Sequence, residues 1–153
     1  MSNIFLEDLQ PGMQFETGKI TVDQDAIIAF ARQFDPQYFH TDPDRASASE
    51  FGGLIASGFH TLALSFRLFF DLNLWENAII ASPGLNDIKW LKPMRPGDTI
   101  YMKIDVTDVR RSSSKPDRGV VLMQHDTYNQ RSEKILALEC AHVLRLREPG
   151  QSR

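Results

Sequence analysis

An α+β fold, with an antiparallel sheet wrapped around one long apolar helix, is predicted by three features of this 153-residue chain. Residues 59–74 carry Leu62, Ala63, Leu64, Phe66, Leu68, Phe69, Phe70 and Leu72, so a helix there is apolar nearly all round and needs cover on most sides. Further on the period changes. Ile100, Met102, Ile104 and Val106 share one face and Tyr101, Lys103, Asp105 and Thr107 the other, the alternation of a half-buried strand. Two more strand-like segments follow, and a buried helix before a run of antiparallel strands is an α+β order.

Taken from the start, Leu9-Gln10-Pro11-Gly12 is a turn signal, and residues 13–20 then form a first strand. Thr21 opens the next helix, with Gln24 three residues on completing a capping box, and Ile27, Phe30, Ala31 and Phe34 make its apolar stripe. Pro36 stops that helix and pushes Asp35 towards an extended conformation, on a loop that also carries His40. Asp42 caps a short helix with Pro43 at its first position, running through Arg45 to Glu50, and Gly52-Gly53 end it. After the long apolar helix, residues 85–91 read as a strand and Pro93-Met94-Arg95-Pro96-Gly97-Asp98 as its connecting loop. Residues 119–128 and 134–146 form the last two strands, joined in a hairpin around Asn129-Gln130-Arg131-Ser132. The tail, residues 148–153, is expected to fray. With no internal repeat and no linker, residues 1–153 read as a single domain.

Composition narrows the function classes. A hydrophobic content of 42% supports a real core, and a formal net charge of −3 gives little electrostatic support for binding nucleic acid or an anionic membrane. The apolar run is interrupted by Arg67 and Asp71 and is shorter than the roughly 20 residues a membrane span needs. Cys140 is the only cysteine, which excludes an internal disulfide and fits a reducing compartment. The opening MSNIFLEDLQPG lacks a basic start followed by an apolar core, so no secretory signal is read there and a cytoplasmic location is expected.

Chemistry concentrates in residues 34–60, which hold a carboxylate, two of the four histidines and a glycine-rich entry into a helix. Asp35 and His40 can share one water, and Gly58 stands at a helix start whose free N–H groups can receive an oxyanion. The plainer readings are a turn-forming Asp35 and a Gly52-Gly53 tight turn. The order Asp35, Gln37, His40, Asp42, Ala46 and then Phe51-Gly52-Gly53-Leu54-Ile55-Ala56-Ser57-Gly58 resembles the hydratase motif of the MaoC-like, R-specific enoyl-CoA hydratase family. With the later Pro-Gly-Asp loop, the resemblance covers most of the chain. Its usual motif is Asp-x-Asn-Pro-x-His, so Asp35 and His40 fit while Gln37 and Tyr38 depart, as does Ser57 where a histidine often precedes the glycine.

The resemblance implies a hotdog fold, an acyl-CoA or acyl-carrier thioester substrate, no redox cofactor or metal, and a homodimer or higher homo-oligomer. The implied activity is reversible addition of water to a trans-2-enoyl thioester, giving a 3-hydroxyacyl thioester. Asp35 and His40 would then handle the protons and the Gly58 N–H would hold the thioester oxygen. Gln37 either positions the water or is an exposed loop residue; Ser57 and His60 either line the pocket or, for Ser57, only cap the helix. A hotdog thioesterase, which could dispense with His40, and a non-catalytic acyl-thioester binding module are the alternatives. His125 and His142 read as satisfied core or interface histidines, and no His and carboxylate pair has metal-ligand spacing, although scattered residues can converge. Cys140 reads as packing. The polar loop Arg110-Arg111-Ser112-Ser113-Ser114-Lys115-Pro116-Asp117-Arg118, like Arg95, is either solvated or a contact for coenzyme A phosphates.

Overall fold

The structure is a computed structural model and describes residues 3–148. After a 3-10 turn at Leu6–Asp8, the strand expected over residues 13–20 is split into β1 (Gln14–Glu16) and β2 (Ile20–Thr21). The break falls at Thr17, whose hydroxyl accepts the Met102 N–H at 2.8 Å in place of a ladder carbonyl. Helix α1 (Gln24–Phe34) begins later than the capping-box reading placed it. Asp23, not Thr21, is the N-cap, and its carboxylate accepts the Ala26 N–H at 2.8 Å. A carboxylate there also faces the positive end of the helix dipole, and Thr21 is left to bond Thr99 in the sheet. Ile27 and Ala31 of the apolar stripe are buried, whereas Phe34 is 61% exposed.

Helix α2 (Tyr38–Thr41) is a single turn, so His40 lies on a helix rather than on the expected loop. Asp42 caps α3 (Pro43–Ser47) by accepting the Asp44 and Arg45 N–H groups at 3.2 Å, and the helix stops short of Glu50. The long apolar helix is α4 (Gly58–Asp71).

Four long strands complete the sheet: β3 (Ile79–Trp90), β4 (Thr99–Arg111), β5 (Arg118–Tyr128) and β6 (Lys134–Arg145). Their antiparallel order is β1-β4-β5-β6-β3, with β2 also paired to β4. Strand β3 starts at Ile79 rather than at residue 85. Its register against β6 shifts three times, and those irregularities hide the alternation from sequence. The β5 to β6 hairpin forms at the expected place, closed by the Asn129 N–H on the Glu133 carbonyl at 3.0 Å.

Ile100, Met102, Ile104 and Val106 are buried as the alternation predicts, together with Val121, Met123, Leu136, Leu138 and Leu144. Each such side chain contributes roughly 1.5 to 3 kcal/mol of burial free energy. This inner face packs on α4 through Leu68 and Phe69, giving a hotdog arrangement of sheet around helix. The cover expected on most sides of α4 leaves its outer side open. Phe59 and Phe70 are 59% and 63% exposed on its outer side, and Phe66 is half-buried. Of the tail expected to fray, only Glu148 lies within the described residues, and its N–H is bonded to Glu7 at 3.1 Å. Among the described residues no helix is long and apolar enough to cross a membrane.

Candidate active site

Asp35 is the C-cap of α1, with its N–H on the Ala31 carbonyl at 2.8 Å and a backbone (φ −154, ψ 70) that leaves the helix ahead of Pro36. The chain then turns so that the Gln37 carbonyl accepts the His40 N–H at 2.9 Å, presenting the imidazole back towards Asp35. The segment before α4 is stitched on by the Ile55 N–H to the Phe39 carbonyl at 3.0 Å and by the Ala56 N–H to the Met94 carbonyl at 2.8 Å. Three elements therefore converge at the amino end of α4.

The His40 ring has a polar neighbour at each nitrogen. Nδ1 lies 2.8 Å from the Ile55 carbonyl, a pure acceptor, so Nδ1 carries a proton. Nε2 points at Asp35 Oδ2, 3.3 Å away, and in the neutral ring this is the nitrogen with the lone pair. Asp35 is equally engaged. The Ser57 hydroxyl donates to Oδ2 at 2.7 Å and the Gln37 amide donates to Oδ1 at 2.7 Å. Burial by itself would raise the Asp35 pKa, but these two hydrogen bonds and the neighbouring His40 outweigh it and hold the carboxyl below its ordinary value. It is a carboxylate at neutral pH.

Both groups line a cavity of about 420 Å³ whose other walls are mostly apolar: Phe39, Phe51, Ile55, Phe59, Trp90, Leu91 and Met94. Gly58 and Thr61 line it from the first turn of α4. The Gly58 amide makes no hydrogen bond among the described residues, so a free N–H stands at a helix start beside the dyad. An anionic oxygen is the natural occupant.

Packing supplies one reason for glycine at this position. A Cβ on Gly58 would lie 2.8 Å from the Trp90 indole, which donates its Nε1–H to the Gly58 carbonyl at 2.8 Å. The missing side chain makes room for tryptophan.

The remaining candidates separate. Gln37 lines the cavity, and its amide supports the Asp35 carboxylate. Ser57 is fully buried; besides donating to Asp35, its oxygen accepts the Phe59 N–H at 3.2 Å, so it both caps α4 and fixes the carboxylate. His60 stands apart from the cavity lining: its ring stacks on Phe30 with centroids 4.6 Å apart, and burial lowers its pKa. Arg95 donates to the Phe51 carbonyl at 2.7 Å, tethering one wall. The basic loop after Arg111 lies at the opposite end of β4 from Thr99, a strand of 13 residues that spans roughly 40 Å.

Residues 8–129 match the family described as MaoC like domain. The chain belongs to that family. The MaoC-like sequence is 34% identical over 140 residues to the YdeM protein of Bacillus subtilis strain 168, covering 92% of this chain and 98% of YdeM. It is 36% identical over 83 residues to 3-hydroxyacyl-thioester dehydratase Z of Mycobacterium tuberculosis, covering 53% of this chain and 55% of that protein. Among solved structures, the MaoC-like dehydratase of Rhodospirillum rubrum superposes with a TM-score of 0.86 at 40% identity, covering 95% of this chain and 99% of the other.

Sequence reasoning did not find Trp90, Phe39, Phe51, Thr61 or Met94 in this MaoC-like site. Phe39 and Phe51 lie inside the motif and were within its reach. Trp90 arrives through the β3 to β6 pairing and Met94 through the loop beyond it, whose carbonyl takes the Ala56 N–H, and nothing local in sequence announces either.

Proposed function

We propose that the protein is a hydratase and dehydratase of acyl thioesters, interconverting a trans-2-enoyl thioester and a 3-hydroxyacyl thioester carried on coenzyme A or an acyl carrier protein. The observation that carries this reading is the Asp35 and His40 pair: a carboxylate and an imidazole lone pair 3.3 Å apart, facing an apolar cavity beside a free helix-start N–H. A water held between Asp35 Oδ2 and His40 Nε2 loses a proton to Nε2 as its oxygen bonds to C3 of the enoyl group. Electron density moves onto the thioester oxygen, which the Gly58 N–H receives, and Asp35 balances the charge gained by the ring. The Nε2 proton then goes to C2 as the carbonyl re-forms. Water has been added across the double bond, and the same steps reversed remove it.

The 3-hydroxyacyl-thioester dehydratase named among the relatives supports the reaction class. The test is a panel of trans-2-enoyl thioesters of graded length and branching, followed by ultraviolet loss of the conjugated chromophore and by titration of free thiol. Loss of absorbance without thiol release is expected. Thiol release would instead assign a thioesterase, and tight binding with neither change would assign a carrier or sensor.

We also infer a homodimer. Strand β3 is an edge carrying exposed Ile79, Leu85 and Trp90, with Leu91 just beyond it and the exposed Phe59 and Phe70 of α4, an apolar margin that pairing with a second copy would cover. Sedimentation should give twice the 17.4 kDa chain mass.

A further inference from the structure

The other two histidines converge with the only cysteine. His125 lies on β5, and Cys140 and His142 lie two residues apart on β6 and so share its inner face. The strand register pairs Met123 with Cys140 and His125 with Leu138, which sets His125 diagonally beside Cys140. One donor atom from each of His125, Cys140 and His142 falls within 4.8 Å of the other two. All three residues are at most 1% exposed.

This corrects the expectation of satisfied core histidines. Neither ring nitrogen of His125 has a hydrogen-bond partner, and neither does Nε2 of His142. Buried ring nitrogens without partners are costly, and their presence needs an explanation. His142 is also oriented: its Nδ1 is 2.7 Å from the Ser82 hydroxyl, so a proton on Nδ1 leaves the Nε2 lone pair turned into the cluster. A polar group fixing the far nitrogen of a ligand imidazole is the usual support of a metal site.

We propose that His125, Cys140 and His142 form a binding site for a single copper(I) ion. Charge selects the metal. The cluster is walled by Phe66, Phe69 and Trp75, and its one thiolate neutralises a monovalent ion completely, whereas a divalent ion would leave a net positive charge in an apolar interior. Softness and number agree. Thiolate and imidazole suit copper, and a structural zinc site asks for four strong ligands where three are present. Met123, fully buried and directly opposite Cys140, offers a thioether as a weak fourth donor.

Donor atoms around such an ion stand roughly 3.5 Å apart, so the cluster closes by about 1 Å on loading, a side-chain adjustment. Burial pushes the His125 pKa down to about 3, with His142 adding to the effect, and pushes the His142 pKa down to about 4, so both rings are neutral donors at neutral pH. It pushes the Cys140 thiol up to about 11, so loading displaces one proton. A second cavity, of about 390 Å³, reaches His142 and Ser82 past Trp75 and Glu76 and supplies an entry.

The test uses the reduced, metal-free full chain titrated with copper(I) against a chromophoric copper(I) chelator. One equivalent per chain should be withdrawn from the chelator, with a rise in melting temperature, since binding to the native state alone stabilises it. Cys140→Ser and His125→Leu should each weaken uptake at least 100-fold, while Asp35→Asn leaves it unchanged. X-ray absorption on the loaded parent protein decides the matter even if a variant does not fold. One sulfur and two nitrogens at about 2.0 to 2.3 Å are expected. A shell of oxygen only or sulfur only, no withdrawal from the chelator, or zinc bound as tightly as copper(I) would overturn the proposal.

Discussion

Two histidine sites occupy the two ends of α4, and they treat the same side chain in opposite ways. At the amino end, His40 has a carbonyl on one nitrogen and a carboxylate near the other, and that carboxylate is itself held by Ser57 and Gln37. Beyond the carboxyl-terminal half, His125 has partners on neither nitrogen and is enclosed by Phe66 and Phe69. A ring tied at one nitrogen, with the other turned to a fixed carboxylate, is set for moving a proton, because its tautomer and direction are decided before substrate arrives. A ring with free lone pairs in an apolar wall is unfinished without a ligand. The contrast shows that a buried histidine is interpreted by what its nitrogens touch, more than by its burial.

The contrast is sharpest in turnover. Asp35→Asn and His40→Gln should each lower hydration roughly 10² to 10⁴-fold, and the double variant should add little, as expected of groups acting on one water. Independent, multiplying losses would mean that they do not form a unit. Next in size is Gly58→Val, which drives Trp90 off the cavity wall and should cost on the order of 10² in rate by disturbing the oxyanion donor. Adding Trp90→Ala removes the clash and should restore part of that loss. No recovery would mean that the new side chain obstructs the substrate directly.

Stability separates the two ends as well. In metal-free protein, His125→Leu should raise the unfolding free energy by about 1 to 2 kcal/mol, since it deletes polar atoms that have no partners. His40→Leu should lower it by about 1 to 3 kcal/mol, because the buried Ile55 carbonyl loses its partner. Urea unfolding curves shifting in the same direction would erase the distinction.

The smallest expected effect is in the pH profile. Because the folded Asp35 pKa is depressed, its contribution to stability is present above the unfolded carboxyl value and is lost as pH falls through the folded one. Ser57→Ala removes a hydrogen bond that lowers this pKa, so the acid limb of the unfolding free energy plotted against pH should move to higher pH. An unmoved limb would assign that limb to another group.

Much of this could be read from the chain alone. The alternation from Ile100 to Val106 and the Asp42-Pro43 helix start depend on neighbouring residues, and each appears where expected. The α1 start was misplaced because Thr21 and Asp23 are both good caps two residues apart and the pairing of β2 with β4 claims the first. The early half of β3 was missed because Pro83, Gly84 and the bulges interrupt its period. Asp35, His40 and Gly58 were legible because they fall within one short motif. Trp90 and the His125, Cys140 and His142 cluster were not, since both are produced by strand register, which joins residues far apart in sequence.

The central claim is that one water, placed by Asp35 and His40, is added across a conjugated double bond. The most direct measurement is mass spectrometry of the product formed from a trans-2-enoyl thioester in water enriched in both deuterium and oxygen-18. The account predicts one oxygen-18 on C3, one deuterium on C2 and an intact thioester, with little labelling over the same reaction time in the Asp35→Asn, His40→Gln double variant. Oxygen-18 in a free carboxylate with an unlabelled C3, or full labelling by the double variant, would contradict it.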